Sequence, residues 1–266
     1  MPELPVILTV IKIGTGVLMV VVLSVLAEVV SPRFAGIISG YPLGAAISLF
    51  FIGFEIGPAF AAQSALYTML GLVATLIFVY GYYQCSVLAG RLSKGSNILL
   101  ASATGICGYF LGAWVLHFVP TDLTVSLLLP IGSIFFFLYL FRNIEDVKIN
   151  EKVSINMRLL LFRSLFAAGV IVLVTSTAKV VGPGWAGLFA AFPMTMLPLL
   201  VIIHYTYDTP RVHAILKSFP KGLGSLVVYT LSVFIFYPLQ GVYVGTLSSY
   251  GLATLYLVLI RVLLGY

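Results

Sequence analysis

The chain has 266 residues, of which 61 % are hydrophobic and 8 % are charged, and its mean hydropathy is +1.15. A water-soluble domain carries roughly 25 % charged residues, so this composition excludes a soluble globular protein, and the length leaves no extramembrane domain to expect. The net charge of +6 does not indicate nucleic-acid binding, because the basic residues lie at the ends of apolar runs. The runs are long and lack the alternation of a membrane β-barrel, which predicts an all-α integral membrane protein.

Nine apolar runs of membrane-spanning length follow one another along the chain. The predicted spans are 5–30, 34–54, 59–88, 97–118, 123–141, 159–181, 185–206, 219–238 and 242–264. Only the segment 142–158 has the polarity of a solvated loop. We therefore predict about nine transmembrane helices in three parts: a first four-helix unit at 1–121, a linker helix and cytoplasmic loop at 122–157, and a second four-helix unit at 158–266.

The basic residues predict the orientation of these spans. With nine spans, one face of the membrane receives eleven of the 14 lysines and arginines. Because cytoplasmic loops carry an excess of Lys and Arg, this face is predicted to be cytoplasmic, with the N-terminus outside and the C-terminus inside. The expected location is the cell (inner) membrane.

An internal repeat relates the two units. Segment 31–42, SPRFAGIISGYP, aligns without gaps on segment 182–193, GPGWAGLFAAFP, at an offset of 151 residues. The same offset places Lys12 on Arg163 and Glu28 on Lys179. Five predicted spans separate equivalent points, so the two units would have opposite orientations. Inverted repeats are typical of alternating-access transporters, although channels also use them, and chance alignment of Ala- and Gly-rich helices is the alternative.

The second unit resembles the small four-span GlpM-type bacterial inner-membrane proteins. The resemblance covers 173–237 and depends on Ala178-Lys179, Ala186-Gly187-Leu188, Phe192-Pro193, His204-Tyr205, Asp208 and Ala214. The first unit is similar only through Ala35-Gly36, Pro42 and Glu55, and it has an acid at Glu28 where the basic residue is expected. The resemblance implies a duplicated four-helix unit and a loose association with glycerol metabolism. It implies no catalytic residues.

Small residues and prolines mark the second and seventh spans as the candidate binding site. Small side chains at helical spacing let another helix approach closely, and helix packing alone is the other explanation of this stripe. The stripe consists of Gly36, Gly40, Gly44 and Ser48 in the second span and of Gly187, Ala191 and Thr195 in the seventh.

Pro42 and Pro193 occupy equivalent positions in these two spans. A proline removes one backbone hydrogen bond, so Pro42 is expected to free the carbonyl of Ile38. In the same way, Pro193 is expected to free the carbonyl of Phe189, and Pro198 that of Met194. Broken helices at matching positions of two inverted halves indicate a transport site. The alternative is a kink whose free carbonyl accepts a hydrogen bond from a neighbouring hydroxyl.

Glu28 and Lys179 are further candidates for substrate binding, because a charge within a span is costly to bury. Lys12 and Arg163 lie deeper in their spans and could line vestibules for an anion. Both pairs could instead reach the lipid headgroups, which is the main alternative for Lys179.

Glu55, Asp208 and His204 are candidates for a gate or a proton carrier. Asp208 precedes Thr-Pro and could equally cap the next helix. His204 lies one turn before it, close enough for a hydrogen bond, but a single histidine near a boundary is more often an interfacial residue. The tyrosines of segment 80–84 could contribute hydroxyls to a polar cavity or belong to an aromatic belt.

These patterns predict a secondary transporter of a small polar or anionic solute, driven by an ion or proton gradient. We expect no enzymatic activity, cofactor or metal site, since no catalytic motif occurs and Cys85 and Cys107 lie alone. The expected partners are the lipid bilayer, the solute and a coupling ion, with a homodimer left open. The alternatives are a non-transporting scaffold subunit for envelope or lipid metabolism and a passive channel.

Overall fold

A computed structural model describes residues 3–29, 37, 40–144 and 157–264 of the chain. The described part is all-helical and contains no strand. Its helices are α1 (Glu3–Val29), α2 (Leu43–Glu55), α3 (Pro58–Leu88), α4 (Lys94–His117), α5 (Leu123–Leu140), α6 (Met157–Ala190), α7 (Met196–Thr206) and α8 (Thr209–Leu264), with short 3₁₀ turns at Ala89–Arg91 and Phe141–Asn143.

Polar side chains and a proline set the starts of four of these helices. Ser93 accepts a hydrogen bond from the backbone N–H of Ser96 at the start of α4, and Asp122 accepts one from Val125 at the start of α5. Asp208 does the same for α8, accepting from the backbone N–H of Arg211 at 3.1 Å. Pro58 occupies the first position of α3, where no helical N–H bond is lost. The short loops are therefore closed by local capping.

The longest helix, α8, consists of two arms that fold back on each other at Gly241. Gly241 has φ 76° and ψ 172°, a backbone conformation that side chains with a Cβ rarely adopt. The hydroxyls of Tyr237 and Thr246 lie 2.7 Å apart although the residues are nine apart in sequence, a distance of about 13 Å along a straight helix. Gly182 divides α6 in the same conformation, with φ 80° and ψ 170°.

Helix α3 lies at the centre of the molecule and packs against α4, α5, α6 and α8, while α1 packs mainly against α6. Among the described residues, five helices are long and apolar enough to cross a membrane: α3, α4, α5, α6 and α8. The all-α fold and its membrane-embedded character are thus confirmed in this coarser form. The count of nine crossings and the assignment of two repeat units stay predictions.

Candidate functional site at two helix breaks

The chain breaks its helices at two positions that are 151 residues apart. At the first break, the N–H of Gly40 donates to Ile37 and that of Leu43 donates to Tyr41, at 3.0 and 2.7 Å. At the second break, the N–H of Ala191 donates to Leu188 and the N–H of Met194 donates to Phe192, at 3.2 and 2.7 Å. The backbone bonding pattern therefore recurs at the offset seen in the sequence.

The helices resume in the same way after each break. The N–H of Ala46 donates to the carbonyl of Pro42 at 3.1 Å, and that of Leu197 donates to the carbonyl of Pro193 at 2.9 Å. Pro42 directly precedes the short apolar helix α2, whereas Pro193 lies three positions before the start of α7. Each proline carbonyl accepts the first i+4 backbone bond after its break. Pro42 and Pro193 mark the breaks, as the sequence indicates.

Each break packs against the long helix of the opposite half. Gly40 lies against the backbone of Gly222 in α8, so closely that neither position has room for a Cβ. A Cβ placed on Gly71 of α3 would lie 2.6 Å from the Cβ of Ala191. Gly71 and Gly222 are themselves separated by 151 residues, so the two contacts are exchanged when the halves are interchanged.

Hydroxyl groups bind the backbone carbonyls at both breaks. The hydroxyl of Thr75 donates to the carbonyl of Ala191 at 2.8 Å, and that of Ser225 donates to the carbonyl of Gly40 at 3.1 Å. Gly40 and Ala191 are equivalent at the offset of 151, whereas Thr75 and Ser225 differ from equivalence by one position. A buried carbonyl needs such a partner, and a neighbouring hydroxyl supplies it for the carbonyls of Gly40 and Ala191. These are not the carbonyls that the prolines are expected to free.

The second break has two further hydroxyl partners. The hydroxyl of Thr68 donates to the carbonyl of Gly187 at 3.0 Å, and the hydroxyl of Tyr109 donates to the carbonyl of Leu188. These bonds attach the short arm 183–190 of α6 to α3 and α4, so this break is held by both helices.

One expectation about free carbonyls is wrong, and the one about Ile38 lies outside the described residues. The carbonyl of Phe189 is not free, because the N–H of Phe192 donates to it at 3.1 Å in a tightened last turn. Pro198 lies in the first turn of α7, which begins at Met196. The expectation that it frees the carbonyl of Met194 stays a prediction.

Both breaks line one narrow cavity of about 30 Å³, enough for about one water molecule. The first turn of α2 reaches it through Pro42 and Gly44, and the start of α7 reaches it through Pro193 and Thr195. Thr75 contributes from α3. The described lining residues carry no formal charge, so the polar groups at the cavity are hydroxyls and the backbone at two helix N-termini. Four of the predicted binding residues are thereby brought together, and Gly40 lies at the adjoining Gly222 contact.

Two larger apolar grooves lie on the sides of the molecule. One of about 420 Å³ is bounded by α1, α2 and the last arm of α8, and one of about 410 Å³ by α4 and α6. Their described lining is formed almost entirely by aliphatic and aromatic side chains, so neither groove contains the polar groups that a solute site needs.

The short helix α2 ends in an ion pair. Nζ of Lys12 in α1 lies 2.6 Å from Oε1 of Glu55, and the lysine side chain is 4 % exposed while that of Glu55 is 26 % exposed. The ammonium also lies 5.7 Å from the ring centre of Phe51. The sequence does not predict the pairing of these two charged residues, because they belong to different spans.

The last turn of the short helix α7 contains a buried histidine whose ring nitrogens lie near two hydroxyl groups. His204 is 1 % exposed, which corrects the interpretation of this residue as an interfacial one. Its Nδ1 lies 3.1 Å from the hydroxyl of Tyr82, and its Nε2 lies 3.3 Å from that of Thr209. The expected partner Asp208 caps α8 and lies 3.9 Å from Arg211. The apolar pattern of segment 196–203 gives no signal that the histidine points into the core.

Glu28 and Lys179 are not brought into the cavity by the described contacts. Glu28 lies in α1, but its side chain is outside the described part. Lys179 is exposed on α6, which fits contact with lipid headgroups. In the described part of the chain, no group of three His, Cys, Asp or Glu side chains could hold a metal ion.

The chain matches no protein-family model, no curated protein and no solved structure. The resemblance to GlpM-type proteins therefore stays a prediction.

Proposed function

We propose that the chain is a secondary transporter of a small polar or anionic solute, with its binding site at the cavity between the two helix breaks. The observation that carries the proposal is that both breaks share one backbone bonding pattern and line one cavity. Broken helices whose half-helix ends meet near the membrane midplane are the usual construction of transporter sites. The helix N-termini of α2 and α7 at this cavity favour negative charge.

The exchanged contacts support a two-fold relation between the halves. Gly40 meets Gly222, and Gly71 meets the equivalent of Gly40, Ala191. A rotation that interchanges the halves converts each contact into the other, which a simple translation does not do. With an odd number of crossings between equivalent points, the axis would lie in the membrane plane, and the architecture would be two inverted four-helix repeats joined by α5.

Alternating access follows from this architecture as part of the proposal. The two halves would exchange conformations, and the cavity of about 30 Å³ would widen toward one face at a time. The orientation proposed from the basic residues has the N-terminus outside the cell membrane and the C-terminus in the cytoplasm. A cavity this narrow between packed glycines supports a gated site better than a continuous pore.

The test is uptake into proteoliposomes of the full chain, with radiolabelled inorganic phosphate, acetate, lactate and glutamate as probes. We expect saturable uptake of at least one probe. Thr75→Val and Ser225→Ala should change its apparent affinity, because each removes a hydroxyl at the breaks. Thr177→Val is the matched control, since its hydroxyl bonds to carbonyls of its own helix, the nearer at 2.7 Å. Uptake that never saturates would favour a channel, and absence of uptake for every probe would favour a scaffold subunit.

A further inference from the structure

His204 lies between the cavity and the end of α7. Thr195, which lines the cavity, and His204 are separated by nine positions, or about 14 Å along a helix. The histidine is buried at 1 % exposure, and Thr209 follows the exposed Asp208 at the start of α8. A line of hydroxyl, imidazole and hydroxyl groups therefore runs from the α7–α8 loop to Tyr82 in the core.

We propose that His204 carries the coupling proton of the transport cycle, an inference that rests on the proposed function. The proton enters at Nε2 by way of Thr209, whose hydroxyl donates its own proton to the ring and receives one from a hydronium ion at the α7–α8 loop, which becomes water. The hydroxyl is unchanged by this relay, and the ring gains one positive charge. Coupling requires release to the other face, so in this proposal movement of α7 takes the ring away from Thr209 and toward the cavity lined by Thr195 before the proton leaves.

The partners of His204 suit it for this role. Both ring nitrogens lie near hydroxyl oxygens, at 3.1 Å from Tyr82 and 3.3 Å from Thr209. A hydroxyl can donate or accept, so both neutral tautomers and the imidazolium can keep their hydrogen bonds by rotation of the O–H groups. A proton can arrive or leave without a buried polar group losing its partner.

The charged and titratable groups around His204 come from three other elements. Helix α3 presents Tyr82, Tyr83 and Cys85, of which Tyr82 bonds to the ring. Lys94 of α4 donates to the backbone carbonyl of Tyr207 at 2.6 Å. The α8 side adds Asp208, Arg211 and His213, and Nε2 of His213 lies 2.8 Å from the hydroxyl of Ser86. Among the described groups no carboxylate bonds to His204, so an acquired charge is not cancelled locally and can drive movement of α7.

The other two proton-carrier candidates are engaged differently. Glu55 forms the ion pair with Lys12, whose side chain is 4 % exposed, so protonation of Glu55 would leave a buried ammonium without its carboxylate. Asp208 is exposed and caps α8. His204 is the candidate that can change charge without disrupting a described structural bond.

The first experiment observes the ring itself. The full chain, labelled with ¹⁵N-histidine, is reconstituted in lipid nanodiscs, and its ring nitrogens are followed by NMR between about pH 5 and 8, the range in which histidine changes charge. The chain has three histidines, and His204→Gln and His213→Gln assign the signals. We expect the His204 signal to pass from neutral ring to imidazolium, and Thr209→Val to slow its exchange with water. A ring that stays neutral throughout would overturn the proposal.

The second experiment separates coupling from transport, with inorganic phosphate or lactate as the probe. In proteoliposomes, His204→Gln should retain exchange of labelled for unlabelled probe but lose accumulation driven by a pH gradient, down to the level of empty liposomes. His213→Gln is the matched control and should keep both activities. Gradient-driven accumulation by His204→Gln would overturn the proton role alone. Absence of exchange in the unmodified protein would overturn the proposed function, and the coupling role with it.

Discussion

The two halves of the molecule share a backbone break but differ in the chemistry that follows it. After Pro42 the chain forms the 13-residue α2, and after the second break it forms the 11-residue α7. Helix α2 ends where Glu55 meets the buried Lys12, and α7 ends in a histidine bonded to two hydroxyls. The comparison indicates that backbone geometry sets the shared framework, while the polar side chains at the two ends are free to differ.

The docking of the breaks shows a second difference. Gly40 packs against the backbone of Gly222. At the second break, a Cβ added to Gly71 would collide with the Cβ of Ala191. A Cβ at Gly222 would lie closer to the carbonyl oxygen of Ile37 than a Cβ at Gly71 would lie to the Cβ of Ala191, so the first contact is the less tolerant of the two. The halves are thus equivalent in position but unequal in how tightly they pack.

The largest expected effect comes from a methyl group added at this contact. Gly222→Ala should lower the free energy of unfolding by about 3 kcal/mol, because its Cβ meets the backbone of Ile37, and Gly71→Ala by about 1 to 2 kcal/mol. The measurement is thermal unfolding in detergent. Gly169→Ala is the control, since nothing lies within 4 Å of its Cβ. Equal losses for Gly222→Ala and Gly71→Ala would remove the difference in packing.

The ion pair at the end of α2 gives the next largest effect. Glu55→Ala should cost about 2 to 3 kcal/mol of stability, because it leaves the ammonium of Lys12 buried without a carboxylate. The double variant with Lys12→Met and Glu55→Met should recover most of that loss, since no unpaired charge remains. The check is a double-mutant cycle of unfolding free energies, and additive losses would show that the two charges are not coupled.

A smaller effect is expected from the hydroxyl that binds the second break. Thr75→Val keeps the side-chain shape but leaves the carbonyl of Ala191 without its hydroxyl donor, at a cost of about 1 to 2 kcal/mol. Thr177→Val should change stability much less, because its hydroxyl serves only its own helix. The same unfolding assay compares the two variants. Equal losses would mean that the cross-helix bond adds nothing.

The smallest effect belongs to the cap of α8. Asp208→Ala removes the acceptor for the backbone N–H of Arg211 and should cost about 0.5 to 1 kcal/mol. Asp208→Asn should retain most of the stability, since asparagine also caps helices. Loss of probe uptake in Asp208→Asn at normal stability would show that this carboxylate has a functional role beyond the cap.

Much of the fold follows from the sequence because the apolar runs are long and the prolines are informative. The runs give the helices, and the offset of 151 residues gives the two breaks at Pro42 and Pro193. The cap at Asp208 also follows from local chemistry. Each of these features depends on residues close together in the chain or on a direct repeat.

The partners at the site could not be obtained in this way. The pairing of Lys12 with Glu55, and of His204 with Tyr82, joins residues from different helices, and their contacts depend on the rotation of each helix about its axis. Hydropathy fixes which segments are buried in the membrane and leaves that rotation undetermined. The prediction that the carbonyl of Phe189 is free is wrong for a related reason. It considers only the hydrogen bond lost at Pro193, whereas the last turn of the helix tightens and the N–H of Phe192 donates to this carbonyl.

The position of Lys12 constrains how the nascent chain enters the membrane. A lysine within a spanning helix opposes its insertion, by up to about 2.5 to 3.5 kcal/mol at the helix centre. The carboxylate that pairs with Lys12 belongs to α2, which leaves the ribosome later. If α1 spans the membrane, as the sequence predicts, it is therefore a poor membrane anchor on its own during synthesis. It becomes a stable one when α2 follows, so the first two helices enter the bilayer most favourably as a pair.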